Sequence, residues 1–299
     1  MHPTKVLIVD DSAVVRLAIR KMLATDPDIQ VVGEATNGLE AITQREALAP
    51  DLITMDVNMP GMSGLETTAR IMSTHPVPIL IVTDLDTAGL AFEGISHGAL
   101  DLLGKAEINP ENTRQFTHKI KLLAQIKVIK HIPSTRQWSR TPTPSDPVTG
   151  GHALEWVVAI ASSTGGPKAL ITVLNTLGTD WRAPVVIAQH IHSDFVPKLV
   201  DWLDSTTPLA VCQAEAGQLL RSGHVYVSPA DRNLKLSPQG RIFLAPPDPQ
   251  EIYHPSCNAL LSSVVHHHGQ RSIGVILTGM GDDGVRGAQA IKTAGGHVI

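Results

Sequence analysis

The chain has 299 residues, 42% of them hydrophobic and 17% charged, with a formal net charge of −4. That length suits two ordinary domains, and the composition excludes a disordered or collagen-like polymer. The mild acidity gives no global attraction for nucleic acid or anionic membrane, the two cysteines cannot build a disulfide framework and lack zinc-motif spacing, and no apolar run reaches the ~18 residues of a membrane span.

Residues 1–5 run straight into a strand without the apolar segment of a signal peptide, so a cytoplasmic protein with no nucleic-acid partner and no membrane insertion is expected. Val6–Val9 reads as a buried strand, followed by an amphipathic helix over Ala13–Leu23. Gln30–Val32 and Gly38–Ala47 repeat the pair. Leu52–Met55 and Ile79–Val82 are the next strands, with a shorter one near Leu100–Leu103, and a helix from about Asn112 to Ile129 completes five βα units. Continuous apolar runs alternating with helices predict a doubly wound parallel sheet, because strands covered on both faces have no polar side.

From His131 to His152 the texture changes. Pro133, Pro142, Pro144 and Pro147 stand among Ser, Thr and Arg, and Gly150-Gly151 follow, which is linker composition. A second α/β pattern has strands at Trp156–Ile160, Pro184–Ala188 and Ser272–Leu277. Gly223–Ser228 and Leu234–Leu244 are expected as antiparallel strands with a Pro/Gly turn. Gly295-Gly296 leading into His297, Val298 and Ile299 reads as the start of a further strand.

In the first domain Asp10 and Asp11 end the first strand, Asp56 the third, Thr83 the fourth and Lys105 the fifth. The carboxyl ends of parallel strands line the ligand crevice of such a sheet. Carboxylates gathered there repel one another unless a hard cation intervenes, and oxygen ligands of this kind suit Mg²⁺. The metal and Lys105 would neutralise charge as Asp56 attacks a phosphoryl donor, and Thr83 would hydrogen-bond a phosphoryl oxygen. This set resembles response-regulator receiver domains, with Asp10-Asp11-Ser12, Asp56 in Met55–Met62, Thr83 and Lys105. The resemblance implies a flavodoxin-like fold, Asp56 as phospho-acceptor, and Mg²⁺ held by Asp11, Asp56 and the Asn58 carbonyl. Leu102 and Ala106 stand where receivers usually carry an aromatic and a proline. The loop bearing Lys105 is therefore expected to sit differently.

In the second domain Ser162, Ser163 and Thr164 follow a strand, and Gly165-Gly166-Pro167 opens a helix. A serine on such a turn projects beside helix N–H groups that can hold an oxyanion, and it needs a base. The same turn also occurs as plain structure, and either serine could be the one that projects. His190 ends the next strand, with His192 as a competing base, and Asp283 follows the strand at Val275–Leu277. His266–His268 reads as the end of a solvated helix. Gly279–Gly284 has dinucleotide-type glycine spacing, but Asp282 and Asp283 would set two charges against a pyrophosphate.

This half resembles the catalytic domain of chemotaxis response-regulator protein-glutamate methylesterases, the CheB family, in Ala159–Gly166, Gln189-His190, Val225–Pro229 and Leu277–Gly284. The resemblance implies a receiver at 3–122, a linker at 123–152 and a methylesterase domain at 153–299, the last an α/β doubly wound parallel sheet with an antiparallel hairpin. It implies Ser163 as nucleophile, His190 as general base, Asp283 as its orienter, and Met280 and Thr164 at the oxyanion. The implied reaction is hydrolysis of glutamyl methyl esters, and deamidation of glutamines, on methyl-accepting chemoreceptors, with no cofactor for the esterase. The unphosphorylated receiver is expected to cover the active site until a chemotaxis histidine kinase phosphorylates it. Family members normally continue several tens of residues past a position like Ile299, adding a strand and helix whose loss would expose a sheet edge. The competing expectation is a receiver-type binding module with an inactive, truncated esterase domain.

Overall fold

Short apolar runs become the buried strands of two separate sheets, each with its own core. The computed structural model describes residues 2–130, 156–237, 240–248, 251, 253–279 and 281–299. The chain divides into two units, residues 1–135 and 136–299. Most of the expected linker, 131–152, lies outside the described residues.

In the first unit β1 (Thr4–Val9), β2 (Ile29–Ala35), β3 (Leu52–Met55), β4 (Ile79–Thr83) and β5 (Asp101–Gly104) form a sheet of order β2-β1-β3-β4-β5, parallel throughout. The order reverses between β1 and β3, which opens a crevice at their carboxyl ends. The helices are α1 (Ala13–Leu23), α2 (Gly38–Leu48), α3 (Gly64–Thr74), α4 (Ala88–Ser96) and α5 (Thr113–Ala124). Their starts are chemically marked: Ser12 and Asn37 accept from the N–H groups of Val15 and Glu40, and Ser63 with Glu66 makes a capping box. Val6, Ile8, Leu52 and Leu80 pack with Ile19, Leu23, Ile120 and Leu123 in one core cluster. α5 stops at Ala124 rather than Ile129. Ile126 and Ile129 are 39% and 83% exposed, and beyond Ala124 the core cluster is met by Val128 alone among the described residues, too little packing to sustain further turns.

In the second unit β6 (Val157–Ser162), β7 (Val185–Gln189), β8 (Ala210–Gln213), β9 (His224–Val227), β12 (Ser272–Ile276) and β13 (His297–Val298) form a sheet of order β13-β12-β6-β7-β9-β8. Every pairing in it is parallel. β10 (Asn233–Leu236) and β11 (Ile242–Ala245) make the antiparallel hairpin. Gly223–Ser228 was expected to be antiparallel. Its core, β9, instead lies parallel between β7 and β8, and its last three residues are buried, the pattern of a strand inside a parallel sheet. The helices are α6 (Gly166–Leu177), α7 (Val196–Thr206), α8 (Cys257–His268) and α9 (Val285–Thr293). Leu260, Leu261 and Val264 of α8 and Ile291 of α9 pack on Val157, Ala159, Val186 and Tyr226 of the sheet. No helix of the described residues is long and apolar enough to cross a membrane.

Candidate active site

β6 ends on Ser162, which is buried, and hands the chain to Ser163, which is half-buried. The Ser163 N–H donates to the Thr278 carbonyl at 2.8 Å, and the Ser163 carbonyl accepts from the Gly166 N–H at 2.8 Å and from Gln189 Nε2 at 2.9 Å. Gly165, at φ 75°, supplies the left-handed residue that turns the strand into α6. A Cβ on Gly279 would lie 2.6 Å from that of Ser163, so the loop after β12 approaches the serine only because residue 279 lacks a side chain. The two adjacent serines separate by burial: Ser162 is 2% exposed and its Oγ has no hydrogen-bond partner, which leaves Ser163 as the reachable hydroxyl.

His190 follows β7, and its N–H donates to the Ser162 carbonyl at 2.9 Å, which sets it beside the turn. Its Nε2 lies 2.9 Å from Asp283 Oδ2. Asp283 also accepts the N–H groups of Cys257 at 2.7 Å and Asn258 at 2.8 Å, so the carboxylate sits on the N-terminus of α8. Burial alone would raise the Asp283 pKa, but His190 and the N–H groups of Asn258 and Cys257 outweigh it and hold the carboxyl below its usual value. Tyr253 stacks on the imidazole with ring centroids 5.1 Å apart and planes 10° from parallel. His190 Nδ1 is buried without a hydrogen-bond partner. Of the two ring nitrogens, Nε2 is engaged by Asp283 and Nδ1 is the one left without a protein partner among the described residues. Cys257 Sγ lies 3.5 Å from His190 Nε2, and burial together with Asp283 pushes its thiol far up.

The competing base, His192, is 43% exposed and pairs locally with Asp194, apart from this constellation. Met280, expected at the oxyanion, lies outside the described residues. Thr164 is buried in the turn, where its carbonyl accepts from Thr278 Oγ1 at 2.9 Å. His266–His268 do end a helix, α8, though His267 and His268 are half-buried rather than solvated. Burial, His267 and Arg271 lower the pKa of His268 to about 4.

In the first unit the loops after β1 and β3 bring carboxylate oxygens of Asp10, Asp11 and Asp56 within 4.8 Å of one another. Lys105 Nζ lies 3.0 Å from Asp56 Oδ2 and 3.2 Å from Asp10 Oδ2. The Lys105–Ala106 peptide is not cis, and the lysine still reaches both acids. Burial, then the neighbouring Asp10, pushes the Asp56 pKa up to about 6, and burial also raises that of Asp10. Burial opposes the charge of Lys105, but Asp56 and Asp10 outweigh it and hold the ammonium above its ordinary value. Asp10 Oδ2 and Asp56 Oδ2 are buried and meet no donor except that ammonium. An all-oxygen set with more negative charge than one lysine offsets fits a hard divalent cation such as Mg²⁺. The carboxylates gathered are those of Asp10, Asp11 and Asp56, whereas Asn58 is exposed two residues beyond Asp56. Thr83, expected to hydrogen-bond a phosphoryl oxygen, has its hydroxyl 2.6 Å from that of Thr87.

Residues 158–299 match the CheB methylesterase family and residues 6–117 the response regulator receiver domain. A protein-glutamate methylesterase/protein-glutamine glutaminase of Paramagnetospirillum magneticum is 41% identical over 98% of this chain and 84% of its own length. The chain belongs to the CheB methylesterase family. A second relative of the same name, from Geobacter metallireducens, is also 41% identical, over 99% of this chain and 87% of its own. The catalytic domain of Thermotoga maritima CheB methylesterase matches 48% of this chain and 77% of its own, at 38% identity and a TM-score of 0.46. As a CheB family member the chain is a receiver joined to a hydrolase.

Three contributors to the CheB-type site escaped the sequence reading: Tyr253, and the N–H groups of Cys257 and Asn258. Ser256, whose side chain caps α8 by accepting from the Ala259 N–H, was the one local signal that a helix N-terminus lay there.

Proposed function

We propose that this chain removes methyl esters from glutamate side chains of chemoreceptors, and deamidates receptor glutamines, with Ser163 as nucleophile, His190 as base and Asp283 as orienter. The observation that carries the reading is the 2.9 Å contact from His190 Nε2 to Asp283 Oδ2, beside a serine on a strand-to-helix turn. The names of the relatives supply the substrate class. Ser163 Oγ attacks the ester carbonyl carbon while its proton passes to His190 Nδ1, and the carbonyl electron pair moves onto oxygen. Asp283 stabilises the imidazolium. The intermediate collapses, the methoxy group takes the proton from Nδ1 and leaves as methanol, and the acyl group stays on Ser163. Water then attacks with its proton going to Nδ1, and glutamate is released as the Ser163 oxygen regains a proton. With a glutamine substrate the leaving group is ammonia.

Asp56 is the proposed phospho-acceptor that gates this activity, with the chemotaxis histidine kinase as donor. Asp11 and Asp56 would hold Mg²⁺, with the Asn58 carbonyl as the resemblance implies, and the bound ion would supply positive charge for phosphoryl oxygens. Asp56 provides the attacking oxygen, and Lys105 offsets its charge.

Methanol release from a methylated receptor by the parent and by Ser163→Ala tests the reading. The variant is expected to lose about three orders of magnitude or more in kcat. Equal release by both would refute the serine mechanism, and no release by a phosphorylated parent would favour a binding module.

A further inference from the structure

His190, Cys257 and Asp283 come from three separate places in the chain: after β7, at the start of α8, and after β12. Their donor atoms Nε2, Sγ and a carboxylate oxygen all lie within 4.8 Å of one another. Nε2 is 3.5 Å from Sγ and 2.9 Å from Oδ2. Ligands about 2.0–2.3 Å from a tetrahedral Zn²⁺ lie about 3.2–3.8 Å from each other. The sulfur–nitrogen pair already has that spacing, and the nitrogen–oxygen pair needs to open by only a few tenths of an ångström. One imidazole, one thiolate and one carboxylate are ligands zinc prefers, unlike the all-oxygen set at Asp56. The supports a metal site requires are also present: Asn258 holds the other Asp283 oxygen, and Tyr253 fixes the imidazole plane.

We propose that His190, Cys257 and Asp283 form a Zn²⁺ site that switches the esterase off. The ion replaces the hydrogen shared by His190 Nε2 and Asp283. The Cys257 S–H bond breaks and its proton leaves to solvent, while the ring hydrogen of His190 moves from Nε2 to Nδ1. The balance is one proton released per Zn²⁺ bound, with no change of oxidation state. Nδ1 then carries a hydrogen and has no lone pair to receive the proton of Ser163. Inhibition rests on the reading of His190 as base; metal binding does not.

Co²⁺ serves as a spectroscopic stand-in for Zn²⁺ on the full-length, chelator-stripped chain. One equivalent is expected to bind with thiolate-to-cobalt charge-transfer absorption, displaced by Zn²⁺, in the parent, in Cys212→Ser and in Asp56→Asn. The band is expected to vanish in Cys257→Val. If that variant does not fold by circular dichroism, His190→Ala takes its place and is expected to bind Co²⁺ about tenfold or more weakly. Absence of the band from the folded parent, its survival in Cys257→Val, or its loss in Cys212→Ser would overturn the site. In the methanol assay micromolar Zn²⁺ is expected to cut parent turnover about tenfold or more, reversibly with a chelator. Unchanged turnover in a parent that shows the band would overturn the inhibition. A parent inactive without Zn²⁺ would count against the esterase reading, and the spectrum would still decide the metal site.

Discussion

Asp283 carries its charge in a half-buried place because His190 and two backbone N–H groups supply the contacts that water would otherwise make. Asp283→Asn keeps the size but presents an amide that cannot stabilise an imidazolium. Turnover is expected to fall about 10³–10⁴-fold with KM little changed, by the same logic as in serine proteases, and steady-state methanol release checks it. Asp56 is the opposite case. Its pKa rises from 3.8 to about 6 because burial and Asp10 disfavour the charge. The folded receiver therefore binds this proton more tightly than the unfolded chain does. The stability it contributes is fully present below 3.8 and is lost as pH rises through about 6. The loss amounts to about 2–3 kcal/mol at neutral pH, at about 1.4 kcal/mol per pKa unit. Asp56→Asn is expected to flatten that decline between pH 4 and 7.5 in calorimetry of the full chain; equal declines in parent and variant would refute it. Millimolar Mg²⁺ at about pH 7.5 is expected to raise the receiver Tm of the parent and to leave that of Asp56→Asn unchanged, because binding to the folded state alone stabilises it.

The strand-to-helix turns place the chemistry, and each is built on close backbone approach. A Cβ on Gly166 would run into Gln189 Oε1 and Ser162 Oγ. Neither can retreat easily, since Ser162 is buried and Gln189 Nε2 holds both the Ser163 and His190 carbonyls. Gly166→Ala is expected to cost about 1–3 kcal/mol by overpacking and to lower kcat by displacing Ser163. Denaturant melts and methanol release check the two effects separately. The starts of α1 and α2 lie where the sequence places them, and Ser12 and Asn37 bond their first turns, whereas α3, capped by Ser63, went unnamed in the sequence reading. β8 was invisible in the sequence, since only Val211 of its four residues is buried and no apolar run marks it. The parallel direction of β9 was equally hidden, because an apolar run gives burial but not the identity of the partner strand.

At the scale of the whole chain a receiver unit is joined to a CheB methylesterase unit. If Asp56 is the gate, a small-molecule phosphoryl donor with Mg²⁺ stimulates methanol release by the parent and not by Asp56→Asn. Stimulation that survives the substitution would sink the gate. Ser163→Ala serves as the converse control: it is expected to lose about three orders of magnitude or more in turnover and to keep phosphorylation of Asp56.

Sequence alone determined two parallel α/β sheets and the pocket residues at their strand ends, because burial on both faces writes continuous apolar runs and loops at the carboxyl edge carry the remaining polar groups. Candidate positions at those edges were legible for the same reason, while the choice of Ser163 over Ser162 and of His190 over His192 rested on the family resemblance. Only the tertiary structure decided what surrounds them. Ser162 is withdrawn by burial, Thr83 is paired to Thr87, and Asp283 is seated on the N-terminus of α8 beside Cys257. No spacing rule links positions 190, 257 and 283. Their meeting depends on how strands far apart in the chain pair within one sheet, and that is set by packing rather than by local sequence.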